Sequence, residues 1–280
     1  MKRFLIAFVA SVLFMFSCTG NKTQTVEEPQ ADSVADTIIA ATPLDSLEQL
    51  LVETPTPKAM DELFDDFFFN FAANKRLQKE RVVFPLAVHK DGKEERVEKD
   101  AWQMDHFFMG QGYYTLIFDS EKQMELMKDT SVNQAIVEKI LLRKNLVKDY
   151  VFNRIRGAWM LREVSETPIS KNLNASFLSF YQRFVTDMEF QKKSLNKTVT
   201  FVGPDPDDDF NMMEGIITSD TWEAFAPQLP SKMIYNVIYG QPEASGREKI
   251  FILRGISNGL EMELRFKYVG TRWLLMKMTT

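Results

Sequence analysis

The sequence predicts an α+β protein in which one unit is used twice, each copy a helix packed on a curved, mainly antiparallel sheet with a second short helix. Three observations carry this. Phe64, Phe67, Phe68 and Phe71 recur as Phe177, Phe180, Tyr181 and Phe184, every pair 113 residues apart, and self-similarity at long period marks a repeated unit. Later matches keep their order while the offset drifts between 110 and 121: Val82 and Phe84 with Val199 and Phe201, Asp100-Ala101-Trp102-Gln103 with Asp220-Thr221-Trp222-Glu223, Leu116 and Phe118 with Val237 and Tyr239, Glu138-Lys139-Ile140 with Glu248-Lys249-Ile250, and Trp159 with Trp273. Finally, Glu261, Glu263, Arg265 and Lys267 alternate with Met262, Leu264, Phe266 and Tyr268, the period of a strand with one face in a core.

Taken in chain order, residues 1–18 read as an export leader. Lys2 and Arg3 precede an apolar run from Phe4 to Phe16, too short for a membrane-spanning helix, which needs roughly 20 residues. The run ends at Ser17-Cys18, the chain's one cysteine. This resembles the lipobox of bacterial lipoproteins, which implies cleavage before Cys18, acylation of its thiol and a membrane anchor. Residues 19–57 hold seven acids against Lys22, a composition that cannot bury enough apolar surface to order itself, so they read as a disordered acidic tether. Thr19-Gly20-Asn21-Lys22 lacks the acidic cluster that marks some surface-exported lipoproteins, which favours an outer-membrane protein facing the periplasm. The whole chain carries −5. Leader and tether account for most of it, leaving residues 58–280 close to neutral, without the basic footprint nucleic-acid binding requires.

Two domains are expected, 58–167 and 168–280. The aromatic stripes fall at i, i+3, i+4 and i+7, the spacing of one helical face, and predict helices over Met60–Lys79 and Asn174–Lys192. Strands follow at Arg81–His89 and Thr198–Gly203; Asp91-Gly92 signals a hairpin into a return strand at Lys93–Glu98. Asp100 and Asp220, each with Gln or Glu three residues on, read as caps of short helices pinned by Trp102 and Trp222. Meanders close each copy: Tyr113–Asp119, Val137–Lys144, Leu146–Ile155 and Ala158–Val164 in the first, interrupted by an insert at Ser120–Asn133, then Lys232–Tyr239, Lys249–Ile256, Leu260–Val269 and Arg272–Met278 in the second.

This element order, with the aromatic helix, resembles the nuclear-transport-factor-two-like, or cystatin-like, cone, present as two tandem copies as in certain bacterial envelope lipoproteins. The resemblance implies a pocket between helix and sheet, on a fold that hosts hydratases, isomerases and cyclases as well as non-catalytic binding modules. Only two histidines are present, His89 and His106. His106 and Asp149 are the acid/base candidates, with Asp149 expected to point into the first cone. Trp102, His106, Tyr114, Trp222 and Tyr235 are the candidate ligand-lining residues. Asp205-Pro206-Asp207-Asp208-Asp209 lacks the glycine and twelfth-position glutamate of a calcium loop and reads as a solvated acidic loop. No metal or cofactor is expected, and the absence of a second cysteine argues against a thiol enzyme. The expected function is non-catalytic binding of a small apolar ligand or an envelope protein partner, with a lyase or isomerase using His106 and Asp149 as the alternative.

Overall fold

The computed structural model describes residues 58–205, 207–242 and 246–280; the leader, Cys18 and the tether lie outside them. Twelve strands form two six-stranded sheets. In chain order they are β1 (Val82–Lys90), β2 (Lys93–Val97), β3 (Tyr113–Phe118), β4 (Gln134–Leu141), β5 (Leu146–Ile155), β6 (Ala158–Pro168), β7 (Leu195–Asp205), β8 (Asp208–Ile217), β9 (Ile234–Tyr239), β10 (Glu248–Gly255), β11 (Glu261–Val269) and β12 (Arg272–Thr279). Among the described residues no helix is long and apolar enough to cross a membrane.

Each predicted long helix is broken. The first runs as α1 (Phe64–Ala73) and α2 (Lys75–Glu80), because Asn74 turns extended and its side chain accepts from the Leu77 N–H, capping a new helix within the run. The second is α4 (Ala175–Phe184) and α5 (Met188–Lys193), where Asp187 caps the Phe190 N–H in the same way. Within the first half the insert after β3 contains α3 (Glu121–Glu125). The Asp100 segment forms a turn rather than a helix, and a 3-10 helix starts only at Phe107. In the second half α6 (Trp222–Phe225) has Thr221, not Asp220, at its N-cap, with no side-chain cap bond. Both aspartates are exposed, since neither stands directly before a helical turn.

The sheet orders are β2-β1-β6-β5-β4-β9 and β8-β7-β12-β11-β10-β3. They share one pattern, including a parallel pair (β1 with β6, β7 with β12) flanked by antiparallel ladders, but their last strands are exchanged. β3 pairs with β10 and β9 pairs with β4, so two strands cross the 167/168 boundary, one in each direction. Side chains join the two exchanged edges. The Thr115 hydroxyl donates to the Tyr235 carbonyl (2.6 Å) and accepts its N–H (2.8 Å), and the Asn236 Oδ1 accepts the Ile117 N–H (2.8 Å). Edge strands that would otherwise expose unpaired groups are thereby covered.

Two cores result. The first gathers Phe64, Phe67, Phe68 and Phe71 against Phe152 and Trp159, and is closed by Leu116, Phe118, Ile250 and Ile252 of the second sheet. The second gathers Phe177, Phe180, Tyr181 and Phe184 against Phe266 and Trp273, and reaches Ile140, Val147 and Ile234 of the first sheet. β10 is therefore buried on both faces, Ile250 and Ile252 in one core, Phe251 and Leu253 in the other.

Candidate functional site

Ladder register defines which residues of the halves correspond. Bulges fall at Val151/Phe152 and Arg265/Phe266, 114 residues apart, as are Trp159 and Trp273. Phe152 faces Ala135 and Phe266 faces Lys249 across the neighbouring strand. The counterpart of Lys249 is therefore Ala135, and the sequence match of Glu138-Lys139-Ile140 with Glu248-Lys249-Ile250 is out of register by four. A lysine 1% exposed stands where the other half has a buried alanine, and a buried charge persists only with partners.

Its hydrogen-bond partners come from two segments. Lys249 Nζ donates to the Asp119 carboxylate, just past β3, and to Asn174 Oδ1 (2.5 Å), just before α4. Nearby on the first sheet Glu138, 2% exposed, accepts from Asn172 Nδ2 (2.5 Å) and Asn236 Nδ2 (2.7 Å). Burial pushes the Glu138 carboxyl up, against the pull of Asn236, Asn172 and Lys249; burial pushes the Lys249 ammonium down, against Asp119 and Glu138. Asp149, opposite Glu138 on β5, has its Oδ1 buried with no partner, and burial plus the Glu138 charge raise it to about 7.

A cavity of about 270 Å³ opens on this cluster, lined by Asp119, Asn174, Asn236 and Tyr239 with Leu173 and Ile238. Both halves build it, because the exchanged strands supply Ile117 and Phe118 from one side and 236–239 from the other. It joins apolar walls, the Asn174 and Asn236 amides and the Asp119 carboxylate that pairs with the buried Lys249, a combination suited to orienting a small molecule with a polar end.

The sequence-derived candidates do not meet there. His106 is exposed and, among the described residues, its side chain makes no cap hydrogen bond to the 3-10 turn it precedes. Asp149 shares its sheet face with Val147, which packs in the second core, whereas Tyr150 and Phe152 face the first. The acid thus turns away from the cavity side it was expected to enter, and no His106/Asp149 pair forms. Beside His106, Asp105 accepts from Tyr150, from Lys139 (3.2 Å to each oxygen) and from the Phe107 N–H (2.8 Å). Burial would raise it, but these donors outweigh burial and hold it below the usual range; a carboxylate so satisfied is a poor base. Burial and the Asp105 charge push the Tyr235 hydroxyl up, and it has no hydrogen-bond partner.

Tyr114 packs on Phe69 (5.3 Å) and Phe108 (5.3 Å), and Phe108 in turn on Tyr235 (5.8 Å), so two of the ligand candidates are first-core residues, one contributed by each half. Trp102 is half-buried on Phe84 with its indole nitrogen unpartnered. Trp222 is fully buried in the second core and donates to Gln191 Oε1 (2.7 Å). Sequence reasoning missed Asp119, Glu138, Asn174, Asn236 and Lys249. The available signal was a lysine opening the run Ile250-Phe251-Ile252-Leu253, disguised by its accidental likeness to residues 138–140. Among the described residues no three metal-binding side chains cluster. In the acidic loop, Asp205 and Asp208 instead bond their own loop, accepting from the Asp207 N–H (2.9 Å) and Asn211 Nδ2 (2.7 Å).

The fold is similar to the crystal structure of an NTF2-like protein from Bacteroides fragilis, 40% identical, with a TM-score of 0.72 over 80% of this chain and 98% of that one. No curated protein matches the chain. Residues 43–280, which include both sheets and the cavity between them, match the family described as a domain of unknown function (DUF4348), and the chain belongs to that family.

Proposed function

We infer that this is an envelope lipoprotein, acylated at Cys18 and held on the periplasmic side of the outer membrane by residues 19–57, whose doubled cone binds a small ligand without catalysis. The observation that carries the reading is the cavity at the strand exchange, lined by Asp119 and Asn174, the two side chains that hold the buried Lys249. At about 270 Å³ it falls just short of the roughly 300–1,000 Å³ of sites for drug-sized molecules, so its occupant is small. The 113-residue aromatic repeat and the shared sheet order support tandem duplication as the origin of the cone pair. Exchange of β3 and β9 makes the pair one unit with one composite site.

The test is native mass spectrometry of the full protein purified from its own membranes. A retained small molecule is expected, and it should be lost in Leu173→Trp, since Leu173 lines the cavity and is exposed, so a larger side chain there can occupy it. Protein that carries no adduct, or an adduct indifferent to Leu173→Trp, overturns the site. The anchor is tested separately: Cys18→Ser should abolish acyl labelling and release the protein from the membrane fraction.

A further inference from the structure

The register that equates the halves also exposes a difference beneath their helices. In the first half the ring faces at the open end are covered by arginines. Arg81 binds Asp61 through two 2.8 Å bonds and lies over Phe67 (5.8 Å), while Arg154 lies over Trp159 (4.8 Å) and donates to the Glu62 and Thr130 carbonyls. At offsets of 113 and 114 the counterparts of Arg81 and Arg154 are Ser194 and Tyr268. Among the described residues no guanidinium lies over the rings equivalent to Phe67 and Trp159, which are Phe180 and Trp273; Arg247 lies instead over Tyr268 (5.4 Å), which packs on Trp273, and a groove of about 490 Å³ lies against them.

The cations are not lost; they move to the rim. Where the first half has Asn70, Glu80 and Ala158, the second has Arg183, Lys193 and Arg272, all exposed and all lining the groove. Arg183 stacks on Phe190 (4.2 Å) and reaches Asp187 (3.4 Å). Lys193 and Arg272 make no ion pair with any described residue. Trp273 is held edge-on by its Nε1 donating to Ser176 Oγ (3.1 Å) and by Tyr268 (5.2 Å). Trp273 and Phe180, 5% and 9% exposed, offer only ring edges at the base of the groove, with half-buried Phe190 and Tyr268 beside them, and these aromatics under a rim of three cations complement a flat apolar body bearing a negative head.

We propose that this groove is a second binding site, distinct from the cavity at the strand exchange, for a small organic anion whose ring enters beside Phe190 and Tyr268 against the edges of Trp273 and Phe180 and whose carboxylate meets Lys193, Arg272 and Arg183. The probe is 2-naphthoate, titrated calorimetrically into the full chain, with 2-naphthamide as its neutral match. One site is expected, binding naphthoate at least tenfold tighter than naphthamide. The exposed double variant Lys193→Glu/Arg272→Glu should weaken naphthoate at least tenfold with its melting temperature unchanged, and Leu173→Trp should leave binding intact. Equal affinity for the two probes, binding unchanged in the double variant, or no binding heat at millimolar probe would each overturn the proposal. Naphthoate binding lost in Leu173→Trp would do the same, by placing it in the other cavity.

Discussion

The first half closes its helix-and-sheet unit with charge, through Arg81 and Asp61, whereas the second leaves the equivalent place open and sinks its charge into the junction instead, through Lys249 and Asp119. Asp61 and Asn174 occupy corresponding positions before their helices; one binds a cation on the outside of its unit, the other a cation between the two sheets. Caps and core glutamines meanwhile stay equivalent. Gln78 Nε2 donates to the Phe71 carbonyl as Gln191 Nε2 does to Phe184, at 2.9 and 2.7 Å. The lesson is that packing and capping constrain both halves alike, while the charged positions differ between them, and the candidate cavity and the proposed groove both lie where they differ.

The severest way to break the comparison is to cut the chain at 167/168. Separately produced 58–167 and 168–280 should each lack the partner strand that closes their sheet, showing no cooperative melt in near-ultraviolet circular dichroism until mixed. Halves that melt cooperatively alone would mean that each sheet can reclaim its own strand.

Next in size is Lys249→Met, which strands Asp119 and should cost about 3–5 kcal/mol in urea unfolding. Lys249→Met/Asp119→Leu should recover most of it, since a buried pair replaced whole is far less costly than one broken. A single variant near wild-type stability would show the pair to be dispensable.

Asp149→Asn should act in the opposite direction. With the folded carboxyl raised from 3.8 to about 7, the native state holds a proton that the unfolded state releases between pH 4 and 7. Stability is thus lost as pH rises through that window, reaching about 4 kcal/mol above pH 7. The variant should match wild type near pH 4 and exceed it at pH 8 in thermal melts; parallel pH profiles would contradict the burial argument.

The smallest effect sharpens the grooves. Arg81→Ser removes one partner of a partly buried bidentate pair, costing about 2 kcal/mol. It should add no second naphthoate site, because Asp61 is left without its cation and the first half has Asn70, Glu80 and Ala158 where the groove has Arg183, Lys193 and Arg272. A stoichiometry approaching two would mean that the cationic rim is not what selects the anion.

Much of the fold is readable without coordinates, because helix and strand periodicities are local. The aromatic stripes, the meander strands and both tryptophans of the β6 and β12 starts fall where the alternation places them. Helix breaks at Asn74 and Asp187 were readable in principle as cap residues inside an aromatic run. β8 was hidden because Asp208, Asn211 and Gly215 interrupt its alternation.

What the chain determines by itself is the periodic pattern of apolar and polar residues, and with it the elements, their order and the likeness of the two halves, since each depends on neighbours a few positions away. Which sheet receives β3 and β9, which face of β5 looks inward, and which cations end up buried or free were decided only by tertiary structure. A strand's pattern is equally satisfied by either of two similar edges, and a side chain's ionic partner here lies 20 to 130 residues away, beyond the reach of any local signal.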